Sequence, residues 1–189
     1  MFEKEDLKNA LQVLRNGGVI LYPTDTVWGL GCDATNADAV KRIFTIKQRE
    51  DSKRMLVLME NPNMLSAYLK EVPEIAWQLI EVTDKPLTII YPGAKNLAPN
   101  LVAEDGSIGI RITTETFTEH LIQQFRRPVV STSANLSGKP APQNFDEIEE
   151  GILSAVDYVV QYRQEETAKS KPSAIIKLGP SGQIQIIRP

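Results

Sequence analysis

Residues 4–16, KEDLKNALQVLRN, place Leu7, Ala10, Leu11 and Leu14 at helical spacing, and Gly17-Gly18 follow as a stop. The short apolar run GVILY then reads as a strand. Asn36 is a cap for a second helix whose core face carries Ala39 or Val40, Ile43 and Phe44. Met55–Met59 (MLVLM) reads as a strand, followed by helices around Met64–Leu69 and Pro73–Val82 and strands at LTIIY and SIGIRIT. A helix across Phe117–Phe125, the strand PVVST and a helix around Phe145–Leu153 lead to the strands DYVVQ, SAIIKL and QIQII. Helices and strands alternate for most of the length and the end is strand-rich. The expected fold class is therefore α/β: one twisted mixed sheet with helices against it.

Composition narrows the chemistry. A chain of 189 residues, 42% hydrophobic and 24% charged, fits one soluble globular domain over residues 1–189. Cys32 and His120 are the single cysteine and histidine, which excludes an intramolecular disulfide, a cysteine-based zinc cluster and an ordinary Ser-His triad. No stretch approaches the roughly 18 apolar residues of a membrane helix, and the acidic, amphipathic start MFEKED is unlike a secretory signal. The expected location is cytoplasmic, with no membrane partner. A net charge of −3 exerts no overall pull on nucleic acid, so small-molecule chemistry is the better starting point.

Polar clusters gather where apolar strands end, which is where α/β sheets build ligand sites. Thr24-Asp25-Thr26, followed by Gly29 and Gly31, supplies more hydrogen-bonding groups than a turn requires, although a capped turn is the plainer reading. KQREDSKR (Lys47 to Arg54) concentrates cations before a strand; such a run is either a solvated face or a phosphate site, where Lys neutralises and Arg forks. STSANLSG (Ser131 to Gly138) offers hydroxyls and an amide after PVV. It is not a Walker A loop, since Ser133 stands where the first glycine belongs and Pro140 where the magnesium-binding hydroxyl belongs. In SIGIRI, alternation puts Ser107, Gly109 and Arg111 on one face, an odd set for a core and a reasonable one for a cleft. The polar stretch Tyr162–Pro172 is either a mobile loop over a site or a solvated connection, and Ser173 and Arg188 taken alone read as loop and edge-strand residues.

Taken together, PTDTVWGLG, the K-x-R at Lys47–Arg49 and STSANLSGKPAP resemble the YrdC/Sua5 proteins, the threonylcarbamoyl-AMP synthases, in their short single-domain form. The resemblance runs from about residue 8 to 189. It implies a YrdC-like twisted sheet around a concave, positively lined cavity. It also implies an activity: nucleotidyl transfer that joins L-threonine, bicarbonate and ATP into threonylcarbamoyl-adenylate with release of pyrophosphate, for t6A37 modification of tRNA. ATP with Mg²⁺ is the implied nucleotide substrate, the metal being held mainly by its phosphates. A downstream threonylcarbamoyl-transfer machinery is the implied recipient, with at most weak RNA binding.

Carried over by position, the resemblance implies threonine contacts at Thr26, Arg111, Ser133 and Ser173. Implied ATP contacts are Lys47, Arg49, Lys53, Ser107, Asn135, Gln143 and Arg188, with Lys47 and Arg49 offsetting phosphate charge. No side-chain nucleophile is implied. The chain departs from the family pattern at Glu50, at Leu58, at Gln143 and at Thr83-Asp84-Lys85-Pro86-Leu87-Thr88, where many members carry Trp-Pro-Gly-Pro-Leu-Thr.

The alternative is a double-stranded RNA or tRNA-binding module of the same fold without synthase activity. Against it, no cluster interleaves aromatics with cations as base-stacking surfaces do. The phosphate cluster gives a direct test: Arg49→Ala should weaken ATP binding by about 1.5–3 kcal/mol, the scale of charge-assisted hydrogen bonds. Calorimetric titration with nucleotide checks it, and unchanged affinity in the folded variant overturns the assignment.

Overall fold

In the computed structural model, described over residues 2–48, 55–169 and 171–189, the apolar runs assemble into a nine-stranded sheet. Helix α1 (Lys4–Arg15) buries Leu7, Ala10, Leu11 and Leu14, the stripe its spacing predicts. Strand β1 (Ile20–Tyr22) follows, and then β2 (Gly29–Gly31), which sequence patterning does not reveal. A glycine–leucine–glycine run has little intrinsic strand preference. It is extended here because it pairs antiparallel with β1 on one side and with a later strand on the other. Helix α2 (Ala37–Ile46) starts at the expected cap, where the Asn36 side chain accepts from the amides of Asp38 and Ala39.

The chain continues through β3 (Leu56–Met59), α3 (Leu65–Tyr68), α4 (Glu74–Val82), β4 (Leu87–Tyr91), β5 (Ile108–Ile112), α5 (Thr116–Phe125) and β6 (Val129–Ser133). The helix expected around Phe145–Leu153 is broken into a single 3-10 turn, Phe145–Glu147, and the short α6 (Glu150–Leu153), because Ile148 and Glu149 take extended backbone between them. Strands β7 (Tyr158–Val159), β8 (Ala174–Leu178) and β9 (Ile184–Arg188) complete the sheet. Its order is β7-β1-β2-β6-β3-β5-β4-β8-β9, mixed parallel and antiparallel. No helix among the described residues is long and apolar enough to cross a membrane.

Two apolar layers enclose this sheet. On one face α1 and α5 pack against Ile20, Tyr22, Leu58 and Val129. On the other, α2 and its neighbours cover Leu21, Leu30, Val57, Met59, Ile89, Ile108, Ile110 and Val130. The period-two alternation therefore runs intact through the central strands. A cavity of about 190 Å³ lies on this second face, between Ile80 of α4 and Ile89, Tyr91, Ile110 and Ile112.

The same registers define the first face beyond the reach of α1 and α5. Leu56 lies beside Gly109 and Ser131, Arg111 beside Leu58, and Ser133 beside Gly29. Small residues cluster there, which leaves the sheet surface open as a hollow.

Gly31 shows how tightly the β1–β2–β6 end is fitted. A Cβ at this position would lie 2.5 Å from a Tyr22 ring carbon and 3.0 Å from the Val130 carbonyl oxygen, an oxygen that also accepts the Tyr22 hydroxyl at 3.0 Å. Gly31→Ala should therefore destabilise the fold by about 1–3 kcal/mol, as overpacked core substitutions do. Denaturant unfolding measures it, and a loss below about 0.5 kcal/mol, the range of a neutral surface change, would contradict the packing described.

Candidate active site

The connection between β1 and β2 is held by its own hydroxyls. Thr24 Oγ1 accepts from the Thr26 amide at 3.0 Å and donates to the Val27 carbonyl at 2.8 Å, so the turn closes on itself. From outside, Thr118 Oγ1 of α5 donates to the Pro23 carbonyl at 3.0 Å, and Arg163 donates to the Thr24 carbonyl at 3.1 Å. This turn chemistry is what Thr-Asp-Thr allows by sequence alone. Its consequence is visible only in three dimensions: Thr26 Oγ1 accepts from Arg111 Nη2 of β5 at 3.1 Å.

Arg111 also lies 2.9 Å from Asp25 Oδ1, with both side chains almost wholly removed from solvent, 3% and 5% exposed. The contact is an ion pair by distance without hydrogen-bond alignment, and Arg111 Nε has no partner among the described residues. Burial pushes the Asp25 carboxyl above its ordinary range and the Arg111 guanidinium below its own; in each case the opposite charge of the other opposes the shift.

Arg111 and Thr26 line a cavity of about 240 Å³ whose wall also includes Ser131, Ser133, Ser173 and Arg188. The floor is Gly29, Met55, Leu56 and Ile175. Of the residues proposed from sequence for threonine, Thr26, Arg111, Ser133 and Ser173 all reach this one hollow from distant parts of the chain. Ser173 Oγ lies 2.8 Å from Thr88 Oγ1, and its carbonyl accepts from Arg188 Nε at 2.8 Å, so β8, β9 and β4 are tied at the rim. Ser107 opens into an adjoining cavity of about 120 Å³, which shares Met55, Leu56 and Ile175 with the first and is otherwise mostly apolar. Its hydroxyl donates to Asp105 Oδ1 at 2.5 Å.

Other residues read as nucleotide contacts are placed differently. Lys47 is buried, and its ammonium donates to the Ser133 and Asn135 carbonyls at 2.5 and 2.6 Å. It thus fastens the end of α2 to the loop after β6. Asn135 closes that loop, donating to the Leu136 and Lys139 carbonyls, while its Oδ1 is buried without a partner among the described residues. Gln143 lines a small crevice with Thr24, Thr26, Trp28 and Arg163. Arg49 and Lys53, like Glu50, lie outside the described residues.

Sequence reasoning included Ser131 only within the hydroxyl-rich Ser131–Gly138 cluster, and missed Met55, Leu56 and Ile175 as lining and Arg163 as an anchor of the Thr24 turn. The apolar lining residues carry no chemical signature apart from strand register. Arg163 was legible only as one charge in a polar stretch.

Among the described residues the hollow offers two guanidinium groups, several hydroxyls and no nucleophile activated by a base. It suits binding and juxtaposition of anionic reactants more than covalent catalysis. Among the described residues no group of three or more His, Cys, Asp or Glu is arranged to hold a metal ion.

Comparison with known proteins agrees with this geometry. Residues 12–189 match the Sua5–YciO–YrdC family, described as "Telomere recombination". The chain is 33% identical over 85% of its length to the threonylcarbamoyl-AMP synthase of Pseudoalteromonas translucida, covering 87% of that protein. It is 36% identical over 93% of its length to the putative threonylcarbamoyl-AMP synthase of Methanocaldococcus jannaschii, covering 83% of that one. Among solved structures, P. abyssi Sua5 complexed with L-threonine superposes with a TM-score of 0.84 at 26% identity over 94% of the chain, which spans about half (52%) of that longer protein. E. coli YciO gives a TM-score of 0.84 at 26% identity, with 98% of this chain and 89% of that one covered. With the motifs, the sheet and the hollow in agreement, the chain belongs to the Sua5–YciO–YrdC family.

Proposed function

We propose that this protein is a threonylcarbamoyl-AMP synthase, acting on L-threonine, bicarbonate and ATP in the pathway to t6A in tRNA. The observation that carries the proposal is the convergence of Thr26, Arg111, Ser133, Ser173 and Arg188 on one cavity. Its support from relatives is the naming of the P. translucida protein and the L-threonine complex of P. abyssi Sua5.

In this reading the substrate amine condenses with bicarbonate to a carbamate and water. A carbamate oxygen then forms a bond to the α-phosphorus of ATP, and the bond to the leaving pyrophosphate breaks. Arg111 binds the threonine carboxylate by charge-assisted hydrogen bonds from the donors that Thr26 and Asp25 leave free. Thr26 and Ser133 pair with the threonine hydroxyl. Arg188 at the rim faces the phosphates, and the apolar cavity beside Ser107 receives the base.

Lys47 contributes its charge from beneath the Ser133–Asn135 loop, orienting backbone there in addition to offsetting phosphate. Mg²⁺ is read as entering with the nucleotide's phosphates, and no step is assigned to it. The protein's work is positioning and charge compensation.

The RNA-module alternative gains no observation from the described surface. Pyrophosphate release dependent on threonine, bicarbonate and ATP together tests the proposal against it, and absence of amino-acid stimulation overturns the synthase reading.

Hydroxyl recognition gives a sharper expectation. A site built to hydrogen-bond a hydroxyl rejects an analogue lacking it far more strongly than one missing a methyl. Valine, nearly isosteric with threonine, should therefore be a much poorer substrate than serine when pyrophosphate release is compared at equal concentrations. Valine equal to or better than serine would remove the roles given to Thr26 and Ser133.

A further inference from the structure

Arg111 and Thr26 line the cavity, whereas Asp25, the residue between the two threonines of the turn, does not. Its carboxylate is nonetheless in the only ion pair that Arg111 makes among the described residues. We propose that Asp25 is a positioning residue for amino-acid recognition: from behind the cavity wall it holds the Arg111 guanidinium against Thr26, leaving the other donors of that group aimed at the substrate carboxylate. This inference rests on the reading of Arg111 as the threonine clamp.

The geometry carries it in three respects. First, Nη2 is the atom engaged on both sides, 3.1 Å from Thr26 Oγ1 and 2.9 Å from Asp25 Oδ1. A guanidinium presents its donors in a rigid planar fork, so fixing one nitrogen from two directions restricts the whole plane. Second, Nε is buried and without a partner among the described residues. A buried donor left unpaired is costly, so the guanidinium is held in place by its anchors at Asp25 and Thr26 and not by a full set of hydrogen bonds of its own.

Third, Asp25 belongs to the β1–β2 connection and Arg111 to β5, strands separated in the sheet by β6 and β3. A contact within one element would be dictated by local geometry. One that reaches across neighbouring strands constrains where the arginine points. Burial of both charges also makes the anchor stiff, because swinging either group away strands its partner in a low-dielectric site.

The test is steady-state kinetics on Asp25→Asn, which keeps the shape and removes the charge. The KM for threonine should rise by about 10-fold or more while the KM for ATP stays within about two-fold. A purely structural role would lower kcat through the active fraction and leave both KM values in place, which overturns the proposal. A fall in the threonine KM also overturns it, since Asp25 would then be competing with substrate for the guanidinium.

In an Arg111→Gln background, Asp25→Asn should add less than about two-fold, because it acts through Arg111. Additive effects would mean that Asp25 acts by another route. Should Asp25→Asn fail to fold, Asp25→Glu keeps the charge and displaces the anchor by one methylene, and the same selective rise in threonine KM is expected; an unchanged KM there overturns the proposal. Arg111→Gln with an unaltered threonine KM overturns the clamp reading itself. Arg111→Gln with a raised KM, beside Asp25→Asn without one, overturns only the inference drawn here.

Discussion

The buried contact between Asp25 and Arg111 is the constraint on which the site depends. Neighbouring strands lie about 4.8 Å apart, so β2, into which the turn leads, stands roughly 14 Å from β5 with β6 and β3 between them. The Thr24–Val27 turn and the long Arg111 side chain close that gap between them, joined by a charge pair and a hydroxyl. Isolated burial of either charge would cost several kcal/mol, so the pair persists only as a unit. The turn therefore cannot lift away without exposing or stranding a charge, and the hollow beneath it keeps its shape.

A second tie completes the rim. The Lys47 ammonium, removed from solvent, is held by the carbonyls of Ser133 and Asn135, so the end of α2, where the K-x-R motif begins, and the hydroxyl-rich loop after β6 are fixed to each other. These are two of the motifs by which the family resemblance is recognised. Their separation in sequence is closed by one side chain. On the opposite side, Arg163 fastens the polar stretch after β7 to the Thr24 carbonyl.

The hollow itself is a product of size. On the face shared with Leu56 and Arg111 the register brings Gly29, Gly109, Ser131 and Ser133 together, and their small side chains leave the sheet surface uncovered. The other face of the same strands carries Ile108, Ile110 and Val130, packed into the main core. One alternation thus serves both the core and the hollow: every second residue packs into the core, and the remainder is free to be small or polar.

By itself the sequence determined the helices with clear apolar stripes, the Asn36 cap, most of the strands, the α/β class and the polar segments from which the site is built. Local physics suffices for these, since periodicity, capping and turn chemistry are encoded within a few residues. The tertiary structure decided what no local rule contains. Gly29–Gly31 became a strand because its partners β1 and β6 supply hydrogen bonds that glycine's propensity does not favour. The stretch at 145–153 broke into two turns where Ile148 was drawn into the core. Ser131, Leu56 and Ile175 entered the cavity through strand register, and Asp25, legible as a turn residue, met its arginine through a sheet order that pairs distant strands. Such contacts depend on long-range pairing, whose outcome is set by the burial of the whole apolar pattern and not by the residues that meet.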